Sequence, residues 1–510
     1  MALVGRVVAA TRAGAHGLRL NIAARSTVVG RASMSSAAGG AGGGGSSSPR
    51  RGARGPSTTA AASGTAAAAG SGPPGSPSAA DDAHHSHGSK GTRRGYASTA
   101  ADRTGVLRRQ WSTWAEATID CAGADSVNFV VAGTGLPGKG MGWAHIRQIV
   151  DGAIDKRATA YAAVEPHYLG LLGAGRPPVP VSEADAMRSF DAMRRGLRAK
   201  SRLELVPRFG EIAPLPSPSI AILAGRTPDQ PKLFAEAIAA GASHVLLEKP
   251  GADSVEALLA LKRVAARAGV GVCVNFQKHV SKYAQAARRA ATAAGAGARV
   301  TYVHTNDVEA TEAALSECFA RNSEGLVKNM AIHELALLVD FHDVTADNVV
   351  RVEVDPEGAP WATQRLTLDG RTDFARVAVT LHTADGRAAS VFADRCAPRN
   401  SARALVHDAS GELVLESVAE CGAVEGDATA ACLTEQETTS YLREQWHDYA
   451  AVKRAMVDHI LAGGTDAPVG LATLDTAVGA MRLAELVTRE LTAHFDAADA
   501  GAGAGAEASA

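Results

Sequence analysis

At 510 residues, 46% of them hydrophobic, the chain is too long for a single compact core and holds enough apolar material for two domains and tails. A net charge of −1 gives no pull toward nucleic acid or an anionic membrane surface. No run of eighteen apolar residues is present to span a bilayer, so neither membrane nor nucleic acid is an expected partner.

The charge is unevenly spread. Residues 1–96 hold eleven Lys/Arg against two acids, Asp81 and Asp82, a net +9; the remainder carries −10. Before Asp81 there is no acid, and Arg6, Arg12, Arg19, Arg25 and Arg31 are scattered among Ala, Val, Leu and Ser, the composition of an organelle transit peptide. A basic, disordered tail that stays attached is the plainer alternative. Residues 35–80 are low-complexity Gly, Ser, Ala and Pro that cannot bury a core. Arg94-Gly95-Tyr96-Ala97-Ser98 is similar to a mitochondrial processing site. Segment 1–96 is therefore read as a transit peptide with a disordered stretch, addressed to the mitochondrial matrix before the plastid, and 97–125 as an N-terminal extension. The six cysteines show no Cys-x-x-Cys and no metal-ligand spacing, so no metal is expected.

From residue 126 the pattern becomes regular. Val127 to Ala132 reads as a strand, followed by Gly133-Thr134-Gly135 and a helix from Trp143 to about Ile154. Ala158 to Val164 is a second strand, ending in Glu165. Ile220 to Ala224 is another, followed by a helix from Pro231 to Ala240. Val245-Leu246-Leu247 is a buried strand that must stop at Glu248-Lys249-Pro250, because proline cannot donate to a ladder. Asp253 and Glu256 suggest a capping box for the next helix, which Gly269 ends. Val270 to Phe276 is the next strand. This alternation predicts a parallel, doubly wound sheet, whose ligands sit at the strands' carboxyl ends. Lys249 stands at such an end.

After residue 298 the pattern changes. Val300–Thr305, Val349–Val354, Phe374–Leu381, Ser390–Asp394 and Leu413–Leu415 read as strands with turns such as Asp385-Gly386 and Ser410-Gly411 between them. Helices over about Thr439–Leu461 and Leu471–Phe495 follow, then an Ala/Gly tail, 498–510, expected to be unstructured. The expected fold is α/β: an N-terminal Rossmann doubly wound parallel sheet over 126–278, then an α+β domain over 279–497. That second domain carries an open, mostly antiparallel sheet for substrate and for homo-oligomer contacts.

Gly133, Gly135 and Gly138 satisfy G-x-G-x-x-G between a strand and a helix, so backbone amides there can approach a pyrophosphate. A second registration takes Gly142 as the third glycine after a four-residue insertion. A ligand-free glycine loop is the alternative to both. Glu165 ends the second strand 23 residues beyond Gly142, near the offset of the acid that accepts from a ribose 2′-hydroxyl. A carboxylate there repels a 2′-phosphate and favours NAD over NADP. A solvated strand-end acid is the simpler alternative.

These features, together with Gly142-Trp143-Ala144-His145, Thr227-Pro228, Glu248-Lys249-Pro250, Asn275-Phe276-Gln277 and Ile332-His333-Glu334, resemble the glucose–fructose oxidoreductase and inositol dehydrogenase (Gfo/Idh/MocA) family. The likeness spans roughly 126–495. It implies an NAD(P)-dependent oxidoreductase acting on a sugar or polyol. Thr227, Pro228 and Glu248 would then join the cofactor site, and Lys249 would reach both nicotinamide ribose and the reacting oxygen. Alcohol oxidation needs a proton to leave oxygen as hydride leaves carbon, and a partly desolvated lysine can assist it. His333 matches the family's catalytic histidine. The family often places aspartate four residues earlier, where this chain has Asn329, which cannot take a proton but can position a hydroxyl. Lys328, Gln277 and Lys278 are candidate substrate contacts, with plain surface polarity as the alternative for each. A non-catalytic NAD or metabolite sensor and an NAD-dependent glycoside hydrolase are the competing readings.

Overall fold

A computed structural model describes residues 124–171, 181–201, 203–212, 214–419 and 439–507. The expected transit segment, Cys121, Cys421 and Cys432 lie outside the described residues, as does nearly all of the 97–125 extension.

The first sheet has six parallel strands in the order β3-β2-β1-β4-β5-β6. They are β1 (Val127–Ala132), β2 (Ala158–Val164), β3 (Glu204–Val206), β4 (Ser219–Leu223), β5 (His244–Glu248) and β6 (Gly271–Asn275). The order reverses between β1 and β4, which opens a crevice at their carboxyl ends. Between the strands run α1 (Met141–Val150), α2 (Pro166–Leu171), α3 (Val181–Lys200), α4 (Gln230–Ala239) and α5 (Val255–Ala268). The period-2 alternation of β1 sends Val127, Phe129 and Val131 into one core and Val130 and Ala132 into the other. The cap of α5 corrects the expected capping box. Ser254 is the N-cap residue and accepts from the Ala257 amide, whereas Asp253 lies one residue too early. Gly269 does end that helix, at φ 64°.

The second sheet holds seven strands, in the order β13-β12-β7-β11-β10-β8 with β9 on β10. Its members are β7 (Arg299–Asp307), β8 (Val349–Val354), β9 (Gln364–Leu368), β10 (Arg371–Thr383), β11 (Ala388–Asp394), β12 (Cys396–His407) and β13 (Leu413–Val418). Only β7 and β11 pair in parallel, so the sheet is mostly antiparallel as expected. Helices α6 (Lys282–Ala294), α7 (Glu312–Arg321) and α8 (Ile332–His342) accompany it. Strand β12 was missed because Pro398 and a run of polar residues, Arg399-Asn400-Ser401, interrupt its apolar pattern.

The closing helices depart from expectation. The predicted Thr439–Leu461 helix is broken at Gln445 into α9 (Ser440–Glu444) and α10 (Trp446–Leu461). The last, α11 (Leu474–Glu507), runs over residues 498–507 of the segment expected to be unstructured; its frequent alanines favour helix enough to carry the intervening glycines. Nor does the chain divide cleanly at residue 278. Val452, Met456, Val457 and Ile460 of α10 pack on β1 and β4 beside Ile146 and Ile149 of α1. Leu483 and Val487 of α11 join the opposite core with Leu258 and Leu261 of α5. A parallel sheet is apolar on both faces, and the C-terminal helices complete its cover.

Helix α1 starts in contact with the loop that precedes it. A Cβ on Gly142 would lie 2.0 Å from the Gly133 carbonyl oxygen, an obstacle made of backbone. Gly142→Ala should therefore destabilise the fold, toward the upper end of the ~1–3 kcal/mol typical of overpacking. Gly210→Ala, which meets nothing within 4 Å, is the control, expected within about 0.5 kcal/mol of the parent. Equal melting temperatures for the two variants would count against a forced approach at Gly142.

Candidate active site

The glycine loop lies at the sheet's reversal point. Gly133, at φ 83°, lies so close to the chain after β4 that a Cβ there would come within 2.7 Å of the Gly225 amide nitrogen. Of the two glycine registrations the structure favours the second, because Gly142 gives the close helix-to-turn packing required of the third glycine. Gly138 instead sits in the insertion, whose turn is closed by the Gly140 amide on the Leu136 carbonyl at 2.7 Å, and its own carbonyl accepts from Thr439 at 3.3 Å. Helix α1 has neither a side-chain cap at Gly140 nor an acid in its first turn. Its first amides have no acceptor within the helix, which suits a pyrophosphate. Thr227 and Pro228 begin a short turn directly after β4, at the same edge.

Glu165 is buried against this loop. Its carboxylate accepts from the Thr134 amide (2.9 Å), the Thr134 hydroxyl (2.7 Å) and the Gly135 amide (3.3 Å), and also from the His167 and Tyr168 amides. The acid thus holds the loop's shape at the point where a ribose would arrive.

Across the crevice, the end of β5 presents Lys249. Its amine donates to the backbone carbonyl of Asn329, and burial draws it below the ordinary lysine range against the opposing pull of Glu248 and Glu324. Asn329 belongs to a single widened turn, Val327–Ala331, that leads into α8. Such turns need i→i+5 bonding and occur often at functional sites. The Asn329 side-chain amide donates to Glu324 at 2.9 Å, which leaves Oδ1 as its acceptor.

One turn further on, His333 is 1% exposed and neither ring nitrogen has a hydrogen-bond partner. Its ring stands edge-on to Phe276 at 5.8 Å and 6.3 Å from the His304 ring. Burial, then the charges of Lys249 and Lys278, push its pKa far below the usual histidine range, so the imidazole is neutral. A buried polar atom without a partner costs roughly 1–3 kcal/mol. A ligand that hydrogen-bonds His333 would remove that penalty.

Two residues that sequence reasoning did not nominate complete this cluster. Glu334 takes the ammonium of Lys278 on one oxygen and His304 Nδ1 on the other at 3.2 Å. Burial alone would raise that carboxyl, but His304 and Lys278 bring it down to about 2. The motif Ile332-His333-Glu334 contained the signal for Glu334, since an acid in an otherwise apolar helix needs a partner. His304 carried no such signal. Lys278 and His304 also line a cavity of about 250 Å³, together with Ser281, Asn400, Gln445 and Asp448.

Three nominated residues have other duties. Lys328 pairs with Glu485 on α11 at 3.2 Å and so ties that helix; Lys328, Lys249, Asn329 and His333 all lie outside the lining of the cavity. Gln277 is fully buried and donates to Gln445 at the break before α10. Glu248, 6% exposed, accepts from His145 at 2.8 Å and Asn275 at 2.6 Å. Both bonds fall on Oε1, and together they hold the strand end that carries Lys249.

The fold and site define a dinucleotide-binding protein with a second, sheet-based domain over the crevice. Residues 182–276 match the sequence model of the Gfo/Idh/MocA oxidoreductases, described as "Oxidoreductase family, NAD-binding Rossmann fold". The match covers less than a fifth of the chain and lies within the first sheet's domain, where it carries a likeness to an NAD-binding Rossmann fold. The matched stretch begins after the glycine loop, whose four-residue insertion departs from the common spacing. No curated protein matches the chain. Among solved structures, scyllo-inositol dehydrogenase from Lactobacillus casei with bound NAD(H) and scyllo-inositol is 16% identical, covering 70% of this chain and 95% of its own, at a TM-score of 0.52. Myo-inositol dehydrogenase from the same organism, in complex with NAD(H) and myo-inositol, is 15% identical over 72% and 95%, at 0.51. A myo-inositol dehydrogenase from Corynebacterium glutamicum is 17% identical over 71% and 95%, at 0.50. At these identities the likeness is one of fold.

The buried histidines give a pH test. Burial holds His145, His244 and His342 near a pKa of about 4, the first also through Lys453, the second through His459 and the third through Arg288 and Arg387. Unfolded, each titrates near 6.5, the ordinary histidine value. Between those values the unfolded chain binds protons that the fold refuses, so stability falls as pH falls across that window. Melting temperature should drop steadily from pH 7 to pH 5; a flat profile would contradict neutral buried rings.

Proposed function

We propose that the protein is an NAD-dependent oxidoreductase that moves a hydride between nicotinamide and a hydroxyl- or carbonyl-bearing carbon of a sugar or polyol. The observation that carries the reading is His333, buried and neutral with two unpartnered nitrogens, in the field of the partly buried Lys249. NAD supplies the hydride acceptor or donor when bound. Gly133, Gly135, Gly142 and the first turn of α1 would hold its pyrophosphate, and Glu165 its ribose. Lys249 polarises the substrate oxygen and stabilises the charge that develops as its proton leaves. His333, neutral near pH 7, takes that proton on a bare ring nitrogen in the oxidative direction and returns it in the reductive one.

The cavity reaches this cluster through Lys278 and His304, the partners of Glu334, and does not include Lys249 or His333 in its lining; it supports the substrate class as room for the rest of the molecule. Its volume of about 250 Å³ suits one sugar-sized molecule, and its lining offers donors and acceptors of both kinds in Lys278, Ser281, Asn400, Gln445 and Asp448. The inositol substrates in the structural neighbours' descriptions agree with such a compound. A screen of polyols, sugars and sugar acids with NAD, read at the NADH absorbance, tests the reaction. Exchangeable NAD with no turnover across the screen would favour a sensor, and NAD that never exchanges would favour a hydrolase.

Lys249→Met should lower kcat by roughly 10²–10⁴, the usual worth of a positioned acid–base group. NAD affinity should fall less, because the glycine loop and Glu165 hold the far end of the cofactor. His333→Ala should act in the same direction, and the double variant should lose much less than the product of the two. Full activity in Lys249→Met would remove the lysine from the chemistry.

Glu165 sets the cofactor preference in this reading. NAD should bind more tightly than NADP, and Glu165→Ala should narrow the gap while weakening both, since the Thr134 and Gly135 amides lose their acceptor. Tighter binding of NADP by the unmodified protein would overturn the assignment.

A further inference from the structure

Lys453 lies on α10 with 0% exposure, and among the described residues no carboxylate pairs with its amine. The amine donates to His145 Nδ1 at 2.8 Å. His145 Nε2 contacts Glu248 Oε1 at 2.8 Å, and that oxygen also accepts from Asn275 Nδ2 at 2.6 Å. Against burial, the His145 and Asn275 hydrogen bonds keep Glu248 a carboxylate, which can only accept, so Nε2 must carry the hydrogen. Burial keeps the ring neutral, so Nδ1 is bare, and the Lys453 amine, itself lowered by burial to about 7, donates to it. The chain of bonds therefore has one consistent direction, from Lys453 through His145 to Glu248. His145 and Asn275 are 0% exposed as well, so water does not substitute for any link.

Packing does not explain a lysine at this position. The residues around it on α10 that meet the sheet are Val452, Met456, Val457 and Ile460, and an apolar side chain would serve as well there. Burying an ammonium is costly unless its hydrogen bonds are made. What the lysine does accomplish is a connection among three segments. His145 is on the helix that follows the glycine loop, Glu248 immediately precedes Lys249, and α10 contributes Asp448 to the substrate cavity just after Gln445.

We propose that Lys453 is a positioning residue: through His145 it fixes the Glu248 carboxylate, and with it the strand end that presents Lys249 to the helix lining the substrate cavity. The inference rests on the role proposed for Lys249. A histidine held in one tautomer by a donor on one nitrogen and an acceptor on the other is a familiar way to lock a site's geometry. Tyr449, whose ring lies edge-on to His145 at 5.9 Å, closes the remaining side of the imidazole without offering it a charge.

Two variants separate the hydrogen bond from the packing. Lys453→Gln keeps a donor to Nδ1 without the charge; Lys453→Met keeps neither. Lys453→Met should lower kcat about tenfold to hundredfold, as a small misplacement of a reacting group does, while KM for NAD moves less than about threefold. Lys453→Gln should recover most of that loss. Nitrogen-15 NMR of histidine-labelled protein gives a readout independent of turnover. His145 should show the neutral Nε2–H tautomer in all three proteins, with the bare Nδ1 resonance at its hydrogen-bonded position in the parent and in Lys453→Gln and shifted downfield in Lys453→Met, where Nδ1 loses its donor. An unchanged kcat in folded Lys453→Met, equal losses in the two variants, or a His145 ring indifferent to the substitution would each overturn the proposal. If Lys453→Met fails to fold, Lys453→Gln decides alone, and a loss beyond about a hundredfold in it would do the same. The NMR result stands even if Lys249→Met retains full activity, so failure of the lysine's role in chemistry and failure of this linkage are told apart.

Discussion

The constraint on which the structure depends is that a parallel sheet is apolar on both faces. Six strands of that kind leave two surfaces to cover, and the helices between them do not cover both completely. The chain must return after building its second sheet, and it does so twice. Helix α10 lies against β1 and β4 on one face, and α11 against α5 on the other. One consequence is functional. The same helix that seals the first sheet brings Asp448 to the cavity lined by Lys278 and His304, and Lys453 to His145. The two domains are tied at the site by burial that the sheet itself requires.

The electrostatics of the crevice follow from that burial. Lys249, Lys278, His304, His333 and Glu334 share a region with little water, where charges act on one another strongly. Glu334 absorbs Lys278 and His304, which leaves Lys249 with a backbone carbonyl and His333 with nothing. The cluster sorts its members into those already satisfied and those still able to bond a ligand. Lys278 belongs to the first group even though it lines the cavity. Its ammonium shapes the wall and the field, and Glu334 has to be matched by any substrate that draws on it.

Much of this was legible in the sequence, for reasons that differ by element. The parallel sheet was readable because β1, β2, β4, β5 and β6 are continuous apolar runs separated by amphipathic helices, and β1 and β2 fall at the expected residues. Lys249 was readable because a proline after a strand marks its end. The partners of Glu248, Lys328 and Gln277 were not readable, because His145, Glu485 and Gln445 are remote in sequence and only the fold decides which neighbour a polar side chain meets. Lys453 was invisible for the same reason. In an amphipathic helix a lysine reads as surface, and nothing local distinguishes it from Arg454 beside it.

Asn329 is where sequence and structure have to be weighed together. An amide in place of an acid removes one negative charge from the neighbourhood of Lys249 and His333, and a relay through that side chain is excluded because an amide cannot accept a proton and pass it on. The structure returns the charge from elsewhere. Glu324 binds the Asn329 amide, and its charge acts on Lys249 to oppose the lowering caused by burial. The amide is thereby fixed in orientation, with nitrogen toward Glu324 and oxygen left to accept, while its backbone carbonyl holds the lysine. Both contacts come from one residue within the widened turn at Val327–Ala331, and a carbonyl oxygen with two lone pairs can take the lysine whatever its bond within the turn. The acid stands one step outward, on Glu324, and Asn329 itself keeps a side-chain oxygen that can only accept.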